Sequence, residues 1–139
     1  MERVIFDSDL YIDWIEAGRH DELLLARPFV RFMSTVVLLE LQAGALAPAA
    51  AQAVSDLYGT FRRAGRLLAP SAHTFWEAGS VLRTLQQRQG FDLRRRFRLV
   101  NDSLIALSSR QIGATVLTRN ARDFRLIQQI VPFSLTIVP

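Results

Sequence analysis

The chain has 139 residues, of which half are hydrophobic and 22% are charged. This length suits one domain with a substantial core over residues 1–139, and the composition excludes a disordered protein. No apolar run reaches the roughly 18 residues of a membrane span, and Met1 to Arg3 leads directly into a strand-like run, so we expect no anchor, no signal peptide and a cytoplasmic location. The absence of cysteine excludes disulfides and thiolate metal sites.

Arginine provides all 17 basic residues, and the formal net charge is +4. The planar guanidinium group matches phosphate, so this composition favours a polyanionic partner, although a solvated surface explains a charge of this size equally well. Five arginines crowd the segment just before Asp102 and form a candidate phosphate-binding patch: Arg88, Arg94, Arg95, Arg96 and Arg98.

Short strand-like runs alternate with longer helical stretches, which is typical of a parallel sheet covered by helices. The predicted strands are Arg3–Phe6, Phe29–Ser34, Arg66–Leu68, Thr115–Leu117 and Ser134–Val138. The predicted helices run over about Leu10–Ala17 (capped by Ser8 or Asp9), Thr35–Gly44, Ala50–Gly65, Ser71–Gly90, Arg95–Gln111 and Asn120–Gln129. We therefore expect an α/β fold with a central parallel sheet of about five strands and helices on both faces.

Three acidic residues break the pattern of solvent-exposed charges. Asp7 directly follows the first strand, where open parallel sheets place their ligands, although it also suits a helix cap. The helical neighbours of Glu40 and of Asp102 are mostly apolar or small, so both carboxylates should be partly buried. Burying a carboxylate is costly unless a cation, a metal or a proton compensates it. The alternatives are therefore a shared metal ion or arginine partners, with Arg98 near Asp102.

Asn120 and Asp123 follow the fourth predicted strand. An Asn cap with an Asp in the first helical turn explains both residues without any chemistry, and the alternative is that they complete an acidic site. Carboxylates without cysteine or closely spaced histidines suit Mg²⁺ or Mn²⁺, which usually meet phosphate oxygens. The predicted metal ligands are Asp7, Glu40, Asp102 and Asp123.

Four segments, in order and in context, resemble the PIN-domain family, and most closely the VapC-like toxins of bacterial toxin–antitoxin pairs. They are Val-Ile-Phe-Asp-Ser-Asp-Leu at 4–10, Val-Leu-Leu-Glu-Leu at 37–41, Asn-Asp-Ser-Leu-Ile-Ala at 101–106 and Leu-Thr-Arg-Asn-Ala-Arg-Asp-Phe at 117–124. The resemblance covers nearly the whole chain. It implies a PIN-like nuclease domain that cuts RNA with Mg²⁺ or Mn²⁺, forms a homodimer and is inhibited by a cognate antitoxin.

The resemblance also implies which residues act. Its catalytic positions fall on Asp7, Glu40, Asp102 and Asn120, the last of which is Asp in many members of the family. Ser8 and Asp9 stand where the family usually has Thr and Asn. The expected mechanism is metal-assisted hydrolysis, in which an ion activates water and stabilises charge on the phosphate. The expected contacts to RNA come from Ser8, Arg94, Arg95, Arg96, Arg98 and Arg119.

Two alternatives remain at this point. Asp7 and Asp9 mimic the paired aspartates of haloacid-dehalogenase-type phosphatases, but that chemistry normally needs Thr or Val at position 11 and a later lysine, and this chain has Tyr11 and no lysine. The missing lysine also argues against a phospho-accepting receiver domain. Alternatively, the chain is a degenerate PIN domain that only binds RNA or a protein, which Asn120 in place of Asp favours.

Overall fold

The computed structural model describes residues 1–90 and 92–139, in which five parallel strands form one sheet with the order β3-β2-β1-β4-β5. The predicted α/β fold with a five-stranded parallel sheet is thus confirmed. The strands are β1 (Arg3–Phe6), β2 (Val30–Ser34), β3 (Leu67–Leu68), β4 (Thr115–Thr118) and β5 (Ser134–Ile137).

Helices connect these strands throughout the described residues. The α-helices are α1 (Ser8–Ala17), α2 (Thr35–Gly44), α3 (Pro48–Arg63), α4 (Ala72–Gln89), α5 (Arg98–Gln111) and α6 (Ala121–Gln128). A π-helical turn over Glu22–Ala26, which we did not predict, precedes β2, and a 3₁₀ helix over Leu93–Arg95 precedes α5. None of the helices in the described part is long and apolar enough to cross a membrane.

The order of the strands creates a switch point between β1 and β4. From β1 the chain proceeds through β2 to β3 on one side, whereas β4 and β5 lie on the other. Phe6 pairs with Leu117, and the amide of Asp7 donates to the carbonyl of Leu117 at 2.9 Å, so the two strands end at the same level. The crevice outside such a switch point is where open α/β sheets bind ligands.

The core is built on the central strand and the helices that cover it. Val4, Ile5 and Phe6 of β1 are fully buried, as expected for a strand with helices on both faces. Helices α1, α2 and α3 pack on one another, and so do α4, α5 and α6. The inner sides of α5 and α6 contribute Leu99, Ile105, Phe124 and Ile127 to the core. This packing fixes the ends of β1 and β4 relative to α5.

The start of α1 differs from the prediction. Asp7, rather than Ser8 or Asp9, is the cap, and its Oδ1 accepts a hydrogen bond from the backbone amide of Ser8 at 2.8 Å. The physical reason is that Asp7 is the single residue between the end of β1 and the start of α1, so it occupies the N-cap position. Asp7 therefore has the capping role and the ligand position at the same time.

The start of α5 also differs from the prediction. The sequence predicted a helix from about Arg95, whereas α5 begins at Arg98. Asp92 caps the separate 3₁₀ helix by accepting from the amide of Arg94 at 3.0 Å, which interrupts regular α-helix before Arg98. Trp76 of α4 is 80% exposed and lies outside the core.

Candidate active site

Asp7 lies at the carboxyl end of β1 and is only 1% exposed. The hydroxyl of Thr118 donates to its Oδ2 at 2.7 Å, and the amide of Ser8 donates to its Oδ1. Burial and the negative charge of Asp9 raise the pKa of Asp7 to about 7, even though both hydrogen bonds lower it. Asp7 is thus firmly oriented, but its negative charge is not compensated.

Asp102 projects from the inner side of α5 and is also 1% exposed. Burial, followed by the negative charges of Asp7, Asp123 and Glu40, raises the pKa of its carboxyl to about 9. The positive charge of Arg98 offsets only part of this increase. The described residues contain no ion pair of Arg98 with Asp102, so the arginine-partner alternative is not what the structure shows.

Glu40 of α2 is partly buried, as its apolar neighbours predicted. Its Oε1 is buried and has no hydrogen-bond partner within residues 1–90 and 92–139. Burial raises the pKa of Glu40, and Arg98, Asn101 and Ser8 lower it in part. The pKa effects show that Glu40 acts on both Asp7 and Asp102. We call these three residues, Asp7, Glu40 and Asp102, the acidic pocket.

Asp9 lies beside the acidic pocket and raises the pKa of both Asp7 and Glu40. Its Oδ2 accepts from the backbone amide of Arg119 at 3.0 Å, whereas its Oδ1 is buried with no partner in the described residues. Burial raises the pKa of Asp9 as well. Oδ1 of Asp9, like Oε1 of Glu40, is therefore a buried carboxylate oxygen that accepts no hydrogen bond from the described residues.

Asn120, Asp123 and Arg96 form a different group, which we call the paired corner. Asn120 caps α6, because its Oδ1 accepts from the amide of Asp123 at 3.4 Å. Its Nδ2 donates to Oδ2 of Asp102 at 3.3 Å and to Oδ2 of Asp123 at 3.1 Å. The other carboxylate oxygen of Asp123 is 2.6 Å from Nη2 of Arg96. The capping arrangement is thus present, and the charge of Asp123 is compensated by Arg96.

The donor set of the acidic pocket fits a hard divalent cation. Its three side chains offer only carboxylate oxygens as metal ligands. Two buried carboxylate oxygens, Oε1 of Glu40 in the pocket and Oδ1 of Asp9 beside it, accept no hydrogen bond from the described residues. The carboxylates are close enough to raise one another's pKa. Among the described residues, however, no three His, Asp or Glu side chains meet at the spacing of a formed metal centre. Mutual repulsion is the physical reason to expect an open arrangement of such groups without a cation.

The arginines predicted to hold RNA lie in different environments. Arg94 is largely exposed and is paired with Asp92 at 3.6 Å, and Arg95 and Arg98 are exposed. The guanidinium of Arg119 donates to Asp13 at 2.7 Å. These contacts leave the predicted RNA roles as predictions.

Ser8 and Arg88, which the sequence analysis also named, lie in contrasting places. Ser8 is buried, and its side chain lowers the pKa of Glu40 through a hydrogen bond, so burial favours an orienting role over contact with RNA. Arg88 is exposed in the last turn of α4. Arg88 therefore remains available as part of the candidate patch.

Thr118 is the residue of this region to which sequence reasoning gave no role. Its fully buried hydroxyl donates to Asp7 Oδ2 and accepts from the amide of Asn120 at 2.9 Å, so it joins the ends of β1 and β4. The signal in the sequence was a hydroxyl residue directly after a buried strand. The residue it would contact, more than a hundred positions earlier, became clear only from the register of the two strands.

Comparisons with known proteins agree with this geometry. The family model for the PIN domain matches residues 4–129. In a comparison with curated proteins, no sequence matches the chain significantly. A chain of VapBC2 from Rickettsia felis, solved with a DNA fragment from its promoter, is similar with a TM-score of 0.68 and 22% identity, covering 99% of both chains.

Two further solved structures have the same fold. A chain of DNA-bound VapBC from Salmonella typhimurium has a TM-score of 0.66 and 21% identity, covering 99% of this chain and 98% of that one. A chain of VapBC-5 from Mycobacterium tuberculosis, described as a member of the VapBC family of toxin–antitoxin systems, has a TM-score of 0.63 and 18% identity, with coverage of 99% and 98%. Since the family model spans most of the sequence, the chain belongs to the PIN domain family.

Proposed function

We propose that this protein is a metal-dependent endoribonuclease that hydrolyses RNA phosphodiester bonds at the acidic pocket. The observation that supports the proposal best is the burial of Asp7 and Asp102 at the switch point with raised pKa values and no ion pair to an arginine within residues 1–90 and 92–139. Uncompensated carboxylates at a ligand-binding crevice are expected where a cation is bound during function. Membership of the PIN domain family points to the same chemistry.

In this proposal Asp7, Glu40 and Asp102 hold Mg²⁺ or Mn²⁺, with Asp9 beside them. A divalent cation held there supplies Lewis acidity toward the phosphodiester and toward the attacking water. Thr118 and Ser8 keep the carboxylate of Asp7 in place through two hydrogen bonds. Arg98 adds positive charge next to the pocket, where it would attract the RNA backbone.

We further propose that the protein is the toxin of a toxin–antitoxin pair. The similar structures are VapBC complexes, and another similar chain comes from FitAcB of Neisseria gonorrhoeae, with a TM-score of 0.65 and 17% identity. By this analogy the partners are a cognate antitoxin and a second copy of the chain, and the RNA substrate places the activity in the cytoplasm.

The proposal is tested by incubating the purified protein with structured RNA. We expect cleavage with Mg²⁺ or Mn²⁺, no cleavage in EDTA, and products that carry a 5′-phosphate and a 3′-hydroxyl. The variant Asp7→Asn tests whether cleavage depends on the acidic pocket. Asp56→Asn is its matched control, because Asp56 is exposed on α3. The proposal is wrong if a preparation that contains no antitoxin leaves RNA intact at all metal concentrations.

A second candidate is a PIN domain that binds RNA or protein without cutting. The paired corner favours it, since Asn120 replaces a carboxylate and Arg96 already compensates Asp123. Such a protein would bind RNA with equal affinity in EDTA and in Mg²⁺ and would never release fragments. The phosphatase alternative is set aside by the family assignment.

A further inference from the structure

A cleft lined largely by arginine lies between the end of α4, the segment before α5, and α6. Its volume of about 450 Å³ is in the range of small-ligand sites. None of the three residues of the acidic pocket contributes to its wall. The lining residues are Gln89, Arg96, Arg122, Arg125, Leu126 and Gln129. We call this cavity the arginine cleft.

The lining of the arginine cleft selects an anion. The guanidinium groups of Arg122 and Arg125 can each hold a phosphate through two parallel hydrogen bonds, Arg96 adds positive charge while it is paired with Asp123, and two glutamine amides can donate to phosphate or to ribose hydroxyls. Among the described residues that line the cleft, Leu126 is the only aliphatic side chain. A partner helix that buries an apolar face would need a more apolar wall, so the lining disfavours such an occupant.

The arginine cleft is connected to the acidic pocket by a chain of polar contacts. Arg96, in the wall of the cleft, pairs with Asp123 at 2.6 Å. The amide of Asn120 then bridges Asp123 and Asp102 at 3.1 and 3.3 Å. An anion in the cleft therefore lies beside Arg96, which Asp123 and Asn120 link to Asp102 of the acidic pocket.

We infer that the arginine cleft binds a backbone phosphate of the same RNA strand, at a nucleotide away from the one that is cut. The inference rests on the proposed function, which places the cleaved phosphodiester at the acidic pocket. Arg122 and Arg125 are the residues that it adds, and both are exposed on α6, which leaves them accessible to a strand. The cleft thus holds RNA by its backbone and favours substrates longer than a dinucleotide.

The test uses the variant Arg122→Gln/Arg125→Gln and the control Arg62→Gln/Arg63→Gln. The control loses the same charge from the last turn of α3, which does not line the cleft. Binding of a fluorescent single-stranded RNA is measured in EDTA over a range of salt concentrations. For the cleft variant we expect affinity to fall at least about tenfold at low salt, and the slope of log K against log salt to become shallower by about 1.4, or about 0.7 per lost contact.

The control variant should keep the salt slope of the parent. If the cleft variant also keeps the salt slope of the parent, the inference is overturned. The proposed function is unaffected by that result as long as the parent protein cleaves RNA. If the cleft variant loses slope but the parent never cleaves RNA with metal, the cleft is an RNA site and the nuclease proposal fails. Should the double variant unfold, Arg122→Gln alone must show about half the change in slope.

A hexaglutamate peptide is measured in parallel, because carboxylates also bind guanidinium groups. We expect it to bind only weakly and not to displace the RNA from the parent protein. If the cleft variant loses affinity for the peptide while its RNA binding is unchanged, the cleft recognises an acidic protein segment and the RNA assignment is wrong.

Discussion

The acidic pocket and the paired corner lie side by side at the carboxyl ends of the strands. Their carboxylates differ in whether a positive charge compensates them. In the pocket, Asp7 and Asp102 are almost fully buried, and burial together with neighbouring carboxylates raises their pKa values. In the corner, Asp123 has Arg96 on one carboxylate oxygen and Asn120 on the other. The corner is electrostatically satisfied by the chain itself, and the pocket is not.

This difference supports the proposal that the acidic pocket is the metal-binding site. A chain that can supply an arginine to one carboxylate could have supplied another to Asp102, but Arg98 forms no ion pair with it in the described residues. The unsatisfied pocket is destabilising unless a cation binds there. A satisfied corner contributes to the fold and orients its neighbours, so its removal should harm activity less than removal of a pocket carboxylate.

The largest expected effect is on catalysis. Asp102→Asn should lower the rate of RNA cleavage by at least about a hundredfold, because it would remove a ligand of the proposed metal ion, whereas Asn120→Ala should cost clearly less. Initial rates at saturating metal measure both. Equal rates for Asp102→Asn and the parent would show that the pocket is not the catalytic centre, and a larger loss in Asn120→Ala would reverse the comparison of the two regions.

The next effect concerns the pH dependence of stability without metal. The raised pKa values of Asp7, about 7, and Asp102, about 9, mean that the folded protein binds more protons than the unfolded chain above pH 3.8. The free energy of unfolding should therefore fall as pH rises through this range, by several kcal/mol between pH 5 and 9, because each extra proton bound by the folded state contributes about 1.4 kcal/mol per pH unit. Urea titrations in EDTA measure it.

Asp102→Asn serves as the control for this pH dependence. It should flatten the upper part of the profile, where Asp102 ionises in the parent protein. A profile of the parent that stays level or rises toward pH 9 would mean that the buried carboxylates are compensated after all.

A smaller effect compares one chemical change in the two regions. Asp102→Asn should leave the metal-free protein as stable as the parent or more stable, because the parent must take up a proton or bury a repelled charge at this position on folding, whereas Asn keeps the shape without either cost. Asp123→Asn should destabilise it by about 1 kcal/mol, because Arg96 loses its carboxylate partner at a mostly buried position. Thermal melts in EDTA at pH 7.5 decide the signs, and two changes of the same sign would remove the distinction between pocket and corner.

Much of this arrangement could be predicted from the sequence, because apolar periodicity carries it. The continuous apolar run before Asp7 predicted a buried strand, and the apolar neighbours of Asp102 predicted that this helical carboxylate is buried. The contact of Arg96 with Asp123 and that of Thr118 with Asp7 could not be predicted, since each depends on tertiary placement rather than on local pattern. The same holds for the arginine cleft, whose wall joins side chains from three segments.

The predicted cap of α1 failed for a related reason. A local pattern offers Ser8, Asp9 and Asp7 as equivalent candidates, and only the length of β1 decides among them. Sequence therefore predicts which residues are buried more reliably than which atoms they meet.

The most direct test of a shared cation is a thermal melt at increasing concentrations of MgCl₂ or MnCl₂, compared among the parent, Asp102→Asn and the surface control Asp56→Asn. A ligand that binds only the folded state stabilises it by about 1.4 kcal/mol for each tenfold increase in concentration above its Kd. We expect the melting temperatures of the parent and Asp56→Asn to rise together with the logarithm of metal concentration, and that of Asp102→Asn to rise less. Equal rises in all three proteins, or none in the parent, would contradict the claim that the acidic pocket binds a divalent cation.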